Sequence, residues 1–113
     1  MFRVTVLYPK TADSSFDIEY YGTTHVELVR EALAPYGVVA LEWDQVIGGR
    51  GGSQAPYYVA SYQLWKSRRD FQRAVDDGIL GMIAEDVPNF YNEHSVVFFS
   101  TVSRTLDNLR SER

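Results

Sequence analysis

Hydrophobic and polar residues alternate along four short stretches and recur at helical spacing along two longer ones. Phe2, Val4, Val6 and Tyr8 fall on one side of an extended chain that Pro9 closes, which predicts a first strand. From Phe16 the period lengthens. Asp17 is placed as an N-cap, because its carboxylate can accept from free first-turn N–H groups. Phe16 and Tyr21 then occupy the two positions of a hydrophobic staple. Tyr21, His25, Leu28, Val29, Ala32 and Leu33 share one stripe, while Glu19, Glu27, Arg30 and Glu31 face the other way. Pro35 and Gly37 predict that this helix stops near Ala34. Val38 to Ile47 reads as a second strand, with Val39, Leu41, Trp43 and Ile47 on one side and Ala40, Glu42 and Asp44 on the other.

The third strand runs from Tyr57 to Trp65. Ser67 then caps a second helix, with Asp70 three residues on. Phe71, Ala74, Val75, Ile79, Met82 and Ile83 continue its stripe, and Gly78 and Gly81 predict a break. Asp86 to Glu93 is a turn-rich connector, and Ser95 to Val102 is the fourth strand. The order β-α-β-β-α-β predicts a ferredoxin-like α+β fold, an antiparallel four-stranded sheet with helices on one face. The second, third and fourth strands read as apolar on both sides. The face without helices is then too greasy to stay bare, and a two-fold homodimer is the simplest cover.

Length and charge narrow the function. At 113 residues there is room for one core: residues 1–104 as the domain and 105–113 as a polar tail. No cysteine is present, which excludes disulfides, thiolate metal sites and cysteine nucleophiles. Eleven basic against 15 acidic residues leave a net charge of -4, and only Lys66, Arg68 and Arg69 cluster, so no nucleic-acid partner is expected. No stretch has the length of a membrane span or the pattern of a leader, so a cytoplasmic location and no membrane partner are expected. The run Gly48-Gly49-Arg50-Gly51-Gly52-Ser53 lacks the Lys-Ser/Thr pair and subsequent helix of a phosphate loop, and reads as a hairpin tip.

A titratable ring on a face that meets a sheet needs a reason. His25 is either a core histidine bonded to a carbonyl or tyrosine hydroxyl, or part of a pocket between helix and sheet where it binds a ligand oxygen or moves a proton.

The chain resembles the EthD family, within the dimeric α+β-barrel superfamily. The residues that carry the likeness are Val6-Leu7-Tyr8-Pro9 with Phe16-Asp17, Tyr20-Tyr21, Thr24-His25 and Leu28-Val29. Tyr57-Tyr58-Val59-Ala60 with Leu64 and Phe71, and Asp86-Val87-Pro88-Asn89-Phe90-Tyr91-Asn92, complete it. Members often carry proline two residues after that histidine, where this chain has Glu27. The resemblance implies a homodimer whose two sheets close into one barrel. It also implies a cleft in each protomer that takes small organic molecules, and an association with oxidative degradation of ethers and other xenobiotics. Wider relatives include cofactor-free monooxygenases, cyclases and isomerases.

Against that background His25 is the candidate catalytic residue, since a neutral imidazole can accept a phenol or enol proton and return it. Tyr8, Tyr21 and Tyr62 are candidates to orient the ring or bind substrate oxygen, each set against an ordinary role as a core tyrosine. Asn89 and Asn92 are candidate carbonyl anchors, set against turn chemistry beside Pro88. No metal site is expected from His25 and His94 alone, no nucleophile elbow occurs, and no cofactor is expected. Three functions remain. One is a protein that binds an apolar or aromatic small molecule as accessory to oxidative degradation of an ether, aromatic or other xenobiotic. Another is a cofactor-free monooxygenase, cyclase or isomerase with His25 as general base. The last is a structural or effector-sensing dimer without turnover.

Overall fold

A computed structural model describes residues 1–103, and the expected polar tail at 105–113 lies outside the described residues. Four strands, β1 (Phe2–Pro9), β2 (Val38–Gln45), β3 (Tyr57–Trp65) and β4 (Val96–Thr101), form one antiparallel sheet in the order β2-β3-β1-β4. Val4 lies opposite Gln63 and Phe99, and Val6 opposite Ser61 and Val97, so these residues share the side that meets the helices. Thr5, Tyr62 and Phe98 are likewise in register and share the outer side. This is the ferredoxin-like α+β architecture expected from the element order.

The first helical segment starts where its cap predicts. Asp17 Oδ1 accepts the Tyr20 N–H at 3.0 Å, and Phe16 packs against Tyr21. Beyond the cap the segment is not one regular helix. A single α turn, α1 (Ile18–Tyr20), runs into a π turn (Tyr21–His25), then α2 (Val26–Leu33) and a 3-10 turn (Ala34–Tyr36) that ends at Gly37 with φ 84°. Hydrophobic spacing carries no mark of the widened turn. One residue in it accounts for a close approach: a Cβ on Gly22 would stand 3.2 Å from the Trp43 ring, so glycine lets the indole lie on the helix backbone. The second helical segment breaks as expected, into α3 (Arg68–Asp76) and α4 (Ile79–Glu85), with Gly78 left-handed at φ 78°.

Strand β2 departs from the expected alternation. A bulge at Val39 puts an extra residue between Val38 and Ala40, so Val38, Leu41 and Trp43 face the helices and Val39 does not. Ile47 lies beyond the strand and is 94% exposed. The outer positions Glu42 and Asp44 are exposed carboxylates, so β2 is not apolar on both faces. Strand β4 is: Val96, Val97, Phe98 and Phe99 are each about half exposed, on alternate sides of the sheet edge.

The core is split. One cluster holds Phe2, Val4, Leu33, Trp65, Phe71 and Ile83; a second holds Tyr8, Tyr21, Val59, Phe90 and Tyr91. Val6 packs against both.

Candidate functional site

Between the two clusters the helices do not close onto the sheet. They leave a hollow of about 960 Å³, floored by Val4, Val6 and Ser61 and roofed by Val29, Ile83 and Val87. Its walls are mainly apolar, and exposed Glu27, Arg30, Arg68 and Gln72 stand at its rim, so it reaches the surface. A space of this size, apolar with a few polar groups, has the character of a small-molecule site.

His25 lines this hollow although its side chain is only 4% exposed. The π turn aligns it with Tyr21, whose ring stacks on the imidazole at 5.4 Å and 29°, while Phe90 lies 4.5 Å away. Nδ1 is 2.9 Å from Asp86 Oδ2. A carboxylate only accepts, so the neutral ring carries its proton on Nδ1 and presents Nε2 as a lone pair. Nε2 has no hydrogen-bond partner among the described residues, and none of their fully buried side-chain nitrogens or oxygens lacks one. The lone pair therefore meets accessible space.

Asp86 is itself held. Its Oδ1 accepts from Tyr20 Oη at 2.7 Å and from Asn89 Nδ2 at 3.0 Å. Burial works to raise its pKa, but the bonds from Tyr20, His25 and Asn89 outweigh it and keep the carboxyl below its usual range. For His25 burial is the larger influence. It lowers the pKa, against the opposing pull of Asp86, so the ring is neutral near pH 7. An imidazole held in this way by a carboxylate can accept a proton at Nε2.

Two tyrosines join it. Tyr8 and Tyr21 are buried and line the hollow. Burial raises the Tyr8 pKa far above its ordinary value, helped by Tyr21 and Tyr91; it pushes Tyr21 up to about 12, partly offset by the Ser61 hydroxyl. Both stay protonated and can donate. The Tyr8 hydroxyl has no partner among the described residues.

The other expected site residues lie elsewhere. Tyr62 touches the wall of the hollow, but its register with Thr5 and Glu42 places the side chain on the outer face. Burial raises its pKa there, with Asp44 adding to the effect. Asn89 stands outside the hollow and braces Asp86. Asn92 accepts from Ser15 N–H at 2.8 Å and donates to the Asp13 carbonyl at 3.0 Å, tying the connector to the loop before α1. The sequence pattern does not mark Asp86: it stands 61 residues from His25 in a segment whose composition signals only turns. Among the described residues no group of three or more His, Asp or Glu side chains could hold a metal ion. No helix among them is long and apolar enough to cross a membrane.

No protein-family model and no curated protein matches the chain. Solved structures do. An EthD-like protein from Ralstonia eutropha superposes with TM-score 0.79 at 22% identity, over 92% of this chain and 95% of that one. An ethyl tert-butyl ether (EthD) family protein from Bacillus halodurans gives 0.73 at 18%, over 91% and 99%. A dimeric ferredoxin-like protein from an uncultured marine organism gives 0.57 at 12%, over 95% and 100%. At these identities the likeness is one of fold, and the chain has the fold of the EthD-like proteins, as its sequence resemblance implies.

Proposed function

We propose that this protein binds a small, flat, mainly apolar organic molecule bearing oxygen, in the hollow between its two core clusters. One observation carries the reading: two buried side chains present His25 Nε2 and Tyr8 Oη, without partners among the described residues, to an apolar space that opens at the surface. Both atoms are reached from the hollow, so a guest with complementary polar atoms can take the place of the water that bonds them. The EthD-like fold supports a role as accessory to oxidative degradation of an ether, aromatic or other xenobiotic compound. A thermal-shift screen of aromatic and ether compounds tests this. A guest that prefers the folded state raises the melting temperature, and the rise should shrink in Tyr8→Phe and His25→Ala variants. A screen in which every shift survives both substitutions removes the reading.

The Asp86–His25 pair favours a second reading, a cofactor-free monooxygenase, cyclase or isomerase in which Nε2 takes a proton from an enolisable or phenolic substrate. In a His25→Ala variant such an enzyme retains binding and loses turnover. The bare outer side supports a homodimer. Val96 and Phe98 are 45% and 46% exposed there, beside half-buried Leu7 and Leu64. Sedimentation equilibrium at micromolar concentration checks it; a monomer with this face in water rules the assembly out.

A further inference from the structure

Gln63, which no sequence pattern marks, sits in the middle of β3, opposite Val4 and Leu41, on the helix side of the sheet. It is 9% exposed and lines the hollow. Its Oε1 accepts the indole N–H of Trp65 at 3.1 Å. An indole N–H can only donate, so the amide atom facing it is the oxygen. Trp65 is fully buried in the first core cluster and has no room to turn away. The amide is therefore locked with its NH₂ group on the opposite side. That nitrogen has no acceptor among the described residues, and no fully buried side-chain nitrogen there lacks one, so the NH₂ group meets accessible space at the hollow.

We propose that Gln63 is a ligand-binding residue whose amide N–H donates to a carbonyl oxygen, and that the hollow selects carbonyl-bearing apolar molecules over hydrocarbons of the same shape. The inference rests on the hollow being a binding site and goes further, to the chemistry of what it takes. The helical layer offers an acceptor, His25 Nε2, and the sheet offers a donor whose direction is set by a core tryptophan. A carbonyl replaces the water on that NH₂ group with an equivalent bond; a hydrocarbon leaves the group dry. Sites built to complete a buried donor reject analogues that lack the acceptor.

The matched probes are 2-acetylnaphthalene and 2-isopropenylnaphthalene, which differ by C=O against C=CH₂, titrated into the full chain and followed by tryptophan fluorescence. The wild type should bind the ketone about tenfold more tightly, the value of one hydrogen bond to a neutral donor. Gln63→Glu, titrated at pH 8, keeps an oxygen for the Trp65 N–H and loses the donor. It should abolish the ketone preference, and because either guest dries the carboxylate both should bind more weakly. Gln63→Met should abolish the preference by weakening the ketone alone, and should melt at lower temperature because the Trp65 N–H loses its acceptor. Equal binding of both probes by the wild type, or a ketone preference that survives both substitutions, overturns the assignment while leaving the hollow as a site. Binding of neither probe overturns the assignment together with the reading of the hollow.

Discussion

The two core clusters are built from different chemistry and held in different ways. The first is a strand-and-helix core: Phe2, Val4 and Trp65 from the sheet against Leu33, Phe71 and Ile83 from the helices, with Leu33, Trp65 and Ala74 fully buried. Ordinary amphipathic periodicity explains it. The second is almost wholly aromatic, with Tyr8 meeting Phe16, Tyr21, Phe90 and Tyr91 edge-on at 5.3 to 5.6 Å. Much of it comes from loops, joined by the Phe16–Tyr91 bridge and by Asp17 N–H donating to the Phe90 carbonyl at 2.8 Å. Aromatic rings leave gaps that branched aliphatic side chains fill, and they bring hydroxyls with them. One cluster therefore serves stability and the other shapes a polar wall. The molecule keeps them apart by one shared residue, Val6.

That division can be broken at either end. Leu33→Ala empties a fully buried site in the first cluster. It should cost about 2–5 kcal/mol in urea unfolding, with guest affinity of the folded protein unchanged. Asp86→Ala acts on the second region, leaving the His25 Nδ1–H and Tyr20 hydroxyl without their acceptor and Asn89 with only its 3.3 Å bond to Tyr20 Oη. A loss of about 1.5–3 kcal/mol is expected from bonds to a charged group, and His25-dependent binding should fall with it.

A smaller effect comes with pH. Burial holds His25 below its ordinary value of 6.5, against the pull of Asp86. As pH drops below that ordinary value the unfolded chain takes up a proton that the folded ring still refuses. Stability therefore falls as the solution is acidified, and the fall levels off once the folded imidazole protonates. Unfolding curves from pH 8 to pH 5 should show this decline, and His25→Asn should flatten it. Smallest of all is Tyr8→Phe. The hydroxyl has no partner among the described residues, so stability should stay within about 0.5 kcal/mol while affinity for an oxygen-bearing guest weakens. A large loss of stability would make the second cluster a plain core like the first.

Most of the first cluster is legible in the sequence, because its members repeat at the strand and helix periods that packing imposes. His25, Tyr8 and Tyr21 are legible for the same reason, as polar atoms on faces that should be apolar. Three features are not. The Val39 bulge shifts β2 by one residue without any glycine or proline to mark it. The π turn preserves the apolar spacing of an α-helix across its short span. Asp86 and Gln63 matter only through contacts that the chain makes after folding, Asp86 with a ring 61 residues away and Gln63 with an indole that turns its amide. Asn89 and Asn92 carry turn signals and are engaged in bonds that brace the connector.

The pairing of His25 with Asp86 also bears on when the ring acquires its fixed orientation. The imidazole arrives early in the chain, and its orienting carboxylate belongs to the stretch just before the last strand. A partly made or locally opened polypeptide therefore has a freely spinning ring with an ordinary proton affinity. Only docking of the connector onto the first helical segment directs the nitrogen, so guest binding that depends on it doubles as a report that these two distant stretches have met.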